Sequence, residues 1–167
     1  MTTVLCDADS LIKLTKAGAK ETVVRHLRVI IPAQVKREVV DEARGKPDST
    51  LIERNIRDSH MQVIAPNIQN KQLESEISEL HLLGGEEDLY RLSCVHPYDF
   101  ISSDDQKFLR VLQVVGKKAI TPSTIVVLLF LRNNISRHDA QSFLNNLRVY
   151  VSDEEYDLCM NELGGAR

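Results

Sequence analysis

Short apolar runs that end at an acid or a proline alternate along the chain with segments whose apolar residues recur every three to four positions. Val4-Leu5-Cys6 stops at Asp7, and Leu11, Ile12 and Leu14 then recur at helical spacing up to Ala17-Gly18, which predicts strand, turn and helix. Val23, Val24 and Leu27 predict a second helix leading into a buried strand, Val29-Ile30-Ile31. Pro32 suits the first turn of a helix carrying Val35, Val39 and Val40, and Gly45-Lys46-Pro47 closes it. Beyond it the pattern predicts a helix over Leu51–Ile56, a strand over Gln62–Ala65, and a helix with the face Leu73, Ile77 and Leu80. Gly84-Gly85 breaks that helix, and a new one starts at Glu86 and buries Leu89 and Leu92. A strand over Tyr98–Ser102, a helix over Asp104–Val115, a strand over Ala119–Thr121 and helices over 123–132 and 137–147 complete the core.

Strands alternating with helices imply βαβ units, hence an α/β domain with helices on both faces of a mostly parallel sheet of four to five strands. Residues 1–150 are expected as this single domain, with 151–167 as a C-terminal tail of some helical potential. In such sheets, sites form beyond the carboxyl ends of the strands.

Composition narrows the class. With 167 residues, 43% hydrophobic and 27% charged, the chain fits one globular domain of about 150 residues and is neither disordered nor collagenous. Cys6, Cys94 and Cys159 are widely spaced without a C-x-x-C pair, which supports neither a disulfide framework nor a structural zinc site. The opening MTTVLCDADS has no basic stretch before a long apolar one, and the run Ile125–Leu131 is far shorter than the roughly 20 residues of a membrane span. A cytoplasmic location is expected.

The net charge of −3 disfavours a basic nucleic-acid-binding domain, but its distribution says more. Residues 1–50 carry 9 basic and 7 acidic side chains, 51–105 carry 4 and 11, and 106–167 carry 8 and 6. Acids of the middle third such as Glu74, Glu76 and Glu79 read as a solvated helix face. Others sit at element boundaries. Asp7 follows the first strand, Asp104-Asp105 follow the strand ending at Ser102, Glu38 lies in the helix after Val29–Ile31, and Glu86 and Asp88 open the helix after Gly84-Gly85. Singly these are caps, turns or surface residues. Together, three or four carboxylates at one sheet edge would repel each other and take up protons unless a cation neutralised them. Oxygen ligands without nearby His or Cys suit a hard cation, Mg²⁺ or Mn²⁺, which binds phosphate oxygens and lowers the pKa of an attacking water. His26, His60, His81, His96 and His138 are scattered and read as structural or surface residues.

In order and spacing, D-A-D-S-L-I-K-L-T-K-A-G after the first strand, I-I-P-A-Q-V-K-R-E-V, L-L-G-G-E-E-D-L-Y-R-L and F-I-S-S-D-D-Q-K-F-L-R-V-L resemble the four acidic motifs of PIN-domain nucleases. The resemblance spans roughly residues 3–132 and is closest to the prokaryotic branch with VapC-type toxins. It implies a three-layer αβα PIN-like fold and Mg²⁺- or Mn²⁺-dependent hydrolysis of single-stranded RNA with one or two ions, leaving 5′-phosphate and 3′-hydroxyl ends. Carried over by position, the catalytic and metal-binding acids are Asp7, Glu38, Asp88 and Asp105. Asp104 is a substitute for Asp105. Asp9 stands where the family often has Asn or Ser and adds charge beside Asp7. The third motif leaves Glu86 or Asp88 open, and Asp88 is favoured because it shares a helix face with Leu92. The resemblance also implies a small antitoxin partner and a homodimer.

Ser103, Lys13, Lys36, Arg37 and Lys107 are candidate substrate-binding residues, with Ser102, Lys16 and Arg110 beside them. A strand followed by D-A-D also resembles haloacid-dehalogenase phosphatases, with Asp7 as nucleophile and Asp9 as acid/base. Against that reading, Ser10-Leu11 replace the Gly-Thr of that motif and the helix resumes at once. A PIN-like module that binds RNA or protein without cutting is the other alternative. Setting aside Asp7, Glu38, Asp88 and Asp105 leaves 21 basic against 20 acidic residues, so RNA affinity is expected to depend on divalent ions as well as on salt.

Overall fold

A computed structural model describes residues 1–68 and 70–165. Five strands, β1 (Thr3–Cys6), β2 (Arg28–Pro32), β3 (Met61–Ile64), β4 (Phe100–Ser102) and β5 (Ala119–Ile120), form one sheet in the order β3-β2-β1-β4-β5. Every pairing is parallel, so all strand ends share one edge. Alternation along the strands divides the core. Val4, Cys6, Val29 and Ile31 pack on one face against α1 (Ala8–Lys16), α2 (Lys20–His26), α8 (Pro122–Leu131), α9 (Arg137–Leu147) and α10 (Asp153–Gly165). Leu5, Ile30 and Ile101 pack on the other against α5 (Lys71–Leu80), α6 (Gly84–Val95) and α7 (Gln106–Val114). This is the expected α/β arrangement of three layers.

Between β2 and β3 run the short α3 (Ala33–Lys36), a π-helical turn (Arg37–Asp41) and α4 (Pro47–Arg57). Glu42 N–H reaches back to the Arg37 carbonyl at 2.9 Å, the i→i+5 bond of that turn.

Two expectations change. The C-terminal segment belongs to the core instead of trailing from it: Cys159 and Leu163 of α10 are buried against α8 and α9. Gly84-Gly85 do not interrupt the chain ahead of a helix at Glu86; they form the first residues of α6, with Gly84 at φ +57°. Among the described residues, no helix is long and apolar enough to cross a membrane.

Candidate active site

The chain leaves β1 toward β2 on one side and returns to β4 on the other, so the carboxyl ends of β1 and β4 flank the switch point of the sheet. Asp7 N–H donates to the Ser102 carbonyl at 3.1 Å and carries the pairing of Cys6 with Ser102 one residue further. Asp7 is also the N-cap of α1, where its side chain accepts the Ser10 N–H at 2.7 Å. The hydroxyl of Ser103 hydrogen-bonds the same carboxylate. Only 8% of Asp7 is exposed. Burial therefore pushes its carboxyl up to about 6, against those hydrogen bonds, and the charge of Asp9 adds to the rise.

Four other acids share its cleft, a hollow of about 360 Å³ lined by Asp7, Asp9, Glu38, Gly84, Gly85, Glu86 and Asp105, with Leu83 at its side. Glu38 comes from the π-helical turn. Its Oε1 accepts from Gln34 Nε2 at 2.9 Å, and its carboxylate lies against Gly84 and Gly85, where a Cβ on Gly85 would stand 3.2 Å from Oε2. Glu86, in the first turn of α6, is raised by burial and by the charges of Asp105 and Asp7, with Lys107 opposing. Asp105 caps α7: its Oδ1 accepts from Lys107 N–H at 2.8 Å and Phe108 N–H at 2.9 Å, leaving Oδ2 free of those helix contacts.

The remaining expected site residues fall elsewhere. Asp104 is ion-paired with Lys13 and does not line the cleft. Asp88 is not part of that lining; burial raises its carboxyl, the Gln34 backbone and Arg91 oppose the rise, and the charges of Glu87 and Glu38 add to it. Of the two acids in the third motif, the structure puts Glu86 in the cleft. Ser103 is fully buried, bonded to Asp7 and to the Asp105 N–H at 3.1 Å, so it is out of reach of a phosphate. Ser102 is buried too, with its hydroxyl 2.9 Å from that of Ser10. Lys36 pairs with Asp41 at 3.2 Å and Arg37 with Glu42 at 3.3 Å, both outside the cleft lining. Lys16 lies over the Tyr150 ring, and Arg110 is exposed on α7. Lys107 acts on a cleft carboxylate, opposing the rise of Glu86. The sequence reading missed Leu83, 77% exposed at the cleft, and Gln34, which an i,i+4 pairing with Glu38 would have flagged. A larger hollow of about 580 Å³, between α2 and the α8–α9 turn, is lined by Arg25, His26, Asn134 and Asp139 among others; it lacks converging carboxylates.

Among the described residues, Asp7, Glu38, Glu86 and Asp105 form no ion pair. No three Asp, Glu, His or Cys side chains among them are gathered into a ready-made ion cage; the four acids line an open cleft. Their all-oxygen donor set and unpaired negative charge nonetheless fit a hard divalent cation. A family model described as DUF3368, a PIN domain, matches residues 3–164. No curated protein matches the chain. The match, and a helix that begins at Ala8 directly after Asp7, leave no support for the phosphatase reading.

Proposed function

The chain belongs to the PIN-domain family, and from that premise we propose that it is a divalent-metal-dependent ribonuclease that hydrolyses phosphodiester bonds of single-stranded RNA. The carrying observation is that carboxylates from four separate segments, Asp7, Glu38, Glu86 and Asp105, share one cleft at the switch point without a paired cation. These four would hold Mg²⁺ or Mn²⁺, with Asp9 at the margin. Such an ion would supply Lewis-acid polarisation of a phosphate oxygen and of the attacking water.

The chain's own residues do the placing. Ser10 N–H and the Ser103 hydroxyl fix Asp7, and two amides of α7 fix one oxygen of Asp105. Fixed carboxylates present the same donor geometry in every turnover, so little is reorganised when substrate arrives. Lys107 at the edge of the cleft offers a positive charge to a neighbouring phosphate. In-line attack by water would leave 5′-phosphate and 3′-hydroxyl ends without a covalent enzyme intermediate.

In a cytoplasmic setting the same cleft suits inhibition by a small antitoxin that inserts an Arg among the acids, and pairing of two copies belongs to the same proposal. Co-purification with a neighbouring small protein, and sedimentation of the pure chain, test these. For the enzyme itself the test is cleavage of end-labelled single-stranded RNA in Mn²⁺, comparing wild type with Asp7→Asn. Cleavage by wild type alone supports the proposal. Its absence from a folded, Mn²⁺-loaded wild type favours a non-cutting RNA- or protein-binding module.

A further inference from the structure

We propose that Leu83 grips the substrate in the cleft by packing against the face of the unpaired base next to the scissile phosphate. The inference rests on the ribonuclease reading and deepens it, since it names a part of the RNA that the cleft recognises besides its phosphates. Among the described residues, every other one that lines the cleft is an acid, an alanine or a glycine, so Leu83 supplies its one apolar side chain longer than a methyl group. Leu83 is 77% exposed, whereas Leu82 beside it is buried in the core beneath α5 and α6. The backbone at Leu83 is extended, with φ −139° and ψ 153°, and successive side chains of an extended segment point to opposite sides. Anchorage of Leu82 therefore holds Leu83 out of the core.

A single exposed leucine on a protein surface needs no explanation, but this one stands where folding favours another residue. It is the N-cap of α6 and makes no side-chain hydrogen bond to that helix, a position where Ser, Thr, Asp or Asn would satisfy a free amide. Leucine gains neither burial nor a cap there. Next to it come Gly84 and Gly85, and the Glu38 carboxylate lies 3.6 and 3.2 Å from where their Cβ atoms would be. The wall between Leu83 and Glu38 is thus bare backbone, over which a flat group can lie. In single-stranded RNA the phosphates and ribose hydroxyls are polar, and the exposed base faces are the flat, weakly polar surfaces available for packing. With the scissile phosphate at the acids, the base on the adjoining sugar is the group that can meet an apolar side chain at the cleft margin. Contact with a base face reads no base edge, so it tolerates any sequence. It selects unpaired RNA, because a duplex keeps that face inside its stack.

Full-length wild type, Leu83→Ser and Leu83→Met are compared on a short single-stranded RNA whose cleavage position in wild type has been mapped. The same RNA with an abasic ribose on one or the other side of the scissile phosphate is the second substrate, and melting and Mn²⁺ titration run in parallel. Leu83→Ser is expected to raise KM on intact RNA about three- to tenfold, the worth of a half-buried leucine side chain, with kcat little changed because the contact is the same before and during reaction. Its Mn²⁺ affinity should hold and its Tm should equal or exceed that of wild type, since serine can cap α6. Leu83→Met, which keeps an apolar side chain of similar size, should recover most of the loss. An abasic ribose at the contacted position should raise KM for wild type and erase its advantage over Leu83→Ser, a coupling that a purely structural role would not produce. A KM ratio between wild type and Leu83→Ser that is the same on intact and on both abasic RNAs overturns the proposal. So does a Leu83→Ser that cleaves intact RNA like wild type; if that variant also loses self-association in sedimentation, the side chain belongs to a protein contact instead. A folded wild type that cleaves no single-stranded RNA overturns the ribonuclease reading and this proposal with it, an outcome distinct from an active wild type whose Leu83→Ser variant is unchanged.

Discussion

Gly85→Ala adds one methyl group to the wall of the cleft and separates catalytic geometry from folding. A Cβ at this position would lie 3.1 Å from Val35 Cγ2 and 3.2 and 3.5 Å from the two oxygens of Glu38. Val35 is fully buried and yields little, while Glu38 is tethered by Gln34, so relief requires the carboxylate to move by a few tenths of an ångström. A misplacement of about 1 Å can cost about 100-fold in rate; a shift of a third of that predicts a loss of roughly three- to tenfold, or about 0.7–1.4 kcal/mol of transition-state stabilisation. The backbone of Gly85, unlike that of Gly84, is not in the left-handed region, so alanine gains about 0.5–1 kcal/mol of helix preference. That gain offsets most of the crowding. Initial rates of RNA cleavage across a Mn²⁺ series, with melting curves in parallel, should show reduced activity, weaker Mn²⁺ dependence and a Tm within a few degrees of wild type. A Gly85→Ala with wild-type rate and metal dependence would refute the placement of Glu38 in the site.

Asp105→Asn should abolish Mn²⁺-dependent cleavage with little change in Tm, since Asn caps a helix about as well as Asp; Asp104→Asn should do the reverse, retaining cleavage and losing up to about 1 kcal/mol of stability from the Lys13 pair. The folded-state pKa of Asp7 lies above its ordinary value of 3.8, at about 6, so its protonated form favours the folded protein, fully below pH 3.8 and progressively less as pH rises through 6. Metal-free protein should therefore melt lower at pH 7.5 than at pH 5, and saturating Mn²⁺ should remove the difference. By the same reasoning metal-free Asp7→Asn should be inactive yet more stable at pH 7.5, by at most about 3 kcal/mol, measured by urea unfolding. Lys20 is buried between α2 and α4, where it donates to Asn55 Oδ1, to Glu21 at 2.7 Å and to the Leu51 carbonyl at 3.1 Å. Lys20→Ala leaves Asn55 Oδ1 and the Leu51 carbonyl without this donor, while Glu21 keeps Arg54 and Asn55, and should cost about 1–3 kcal/mol in unfolding free energy, with RNA cleavage per folded molecule unchanged.

Asp7 and Asp105 were legible in the sequence because each follows a strand of a parallel sheet, and topology alone brings such ends together. Glu38 was legible through its motif, although the π-helical turn that carries it was not: Val35, Val39 and Val40 satisfy an ordinary helical face equally well. The third motif was legible as a pair of acids, Glu86 and Asp88, and their separate placements follow from where the helix begins. Asp88 does share a face with Leu92, but that face also carries Gly85 and looks onto α3, and with α6 starting at Gly84 its first turn directs Glu86 into the cleft. Partnerships across 91 residues, such as Lys13 with Asp104, leave no local pattern, nor does the complete burial of Ser103. The packing of α10 did leave one: Tyr156, Cys159, Met160 and Leu163 follow helical spacing and identify a buried face.

Convergence of four carboxylates on a divalent cation is tested most directly by calorimetric titration of Mn²⁺ into metal-free protein, with Asp7→Asn, Glu38→Gln, Glu86→Gln, Asp105→Asn and Asp104→Asn in parallel. Binding by wild type, weakened at least about tenfold in each of the first four variants and unchanged in Asp104→Asn, is the predicted result. No binding by wild type, or equal losses in Asp104→Asn and Asp105→Asn, would contradict it.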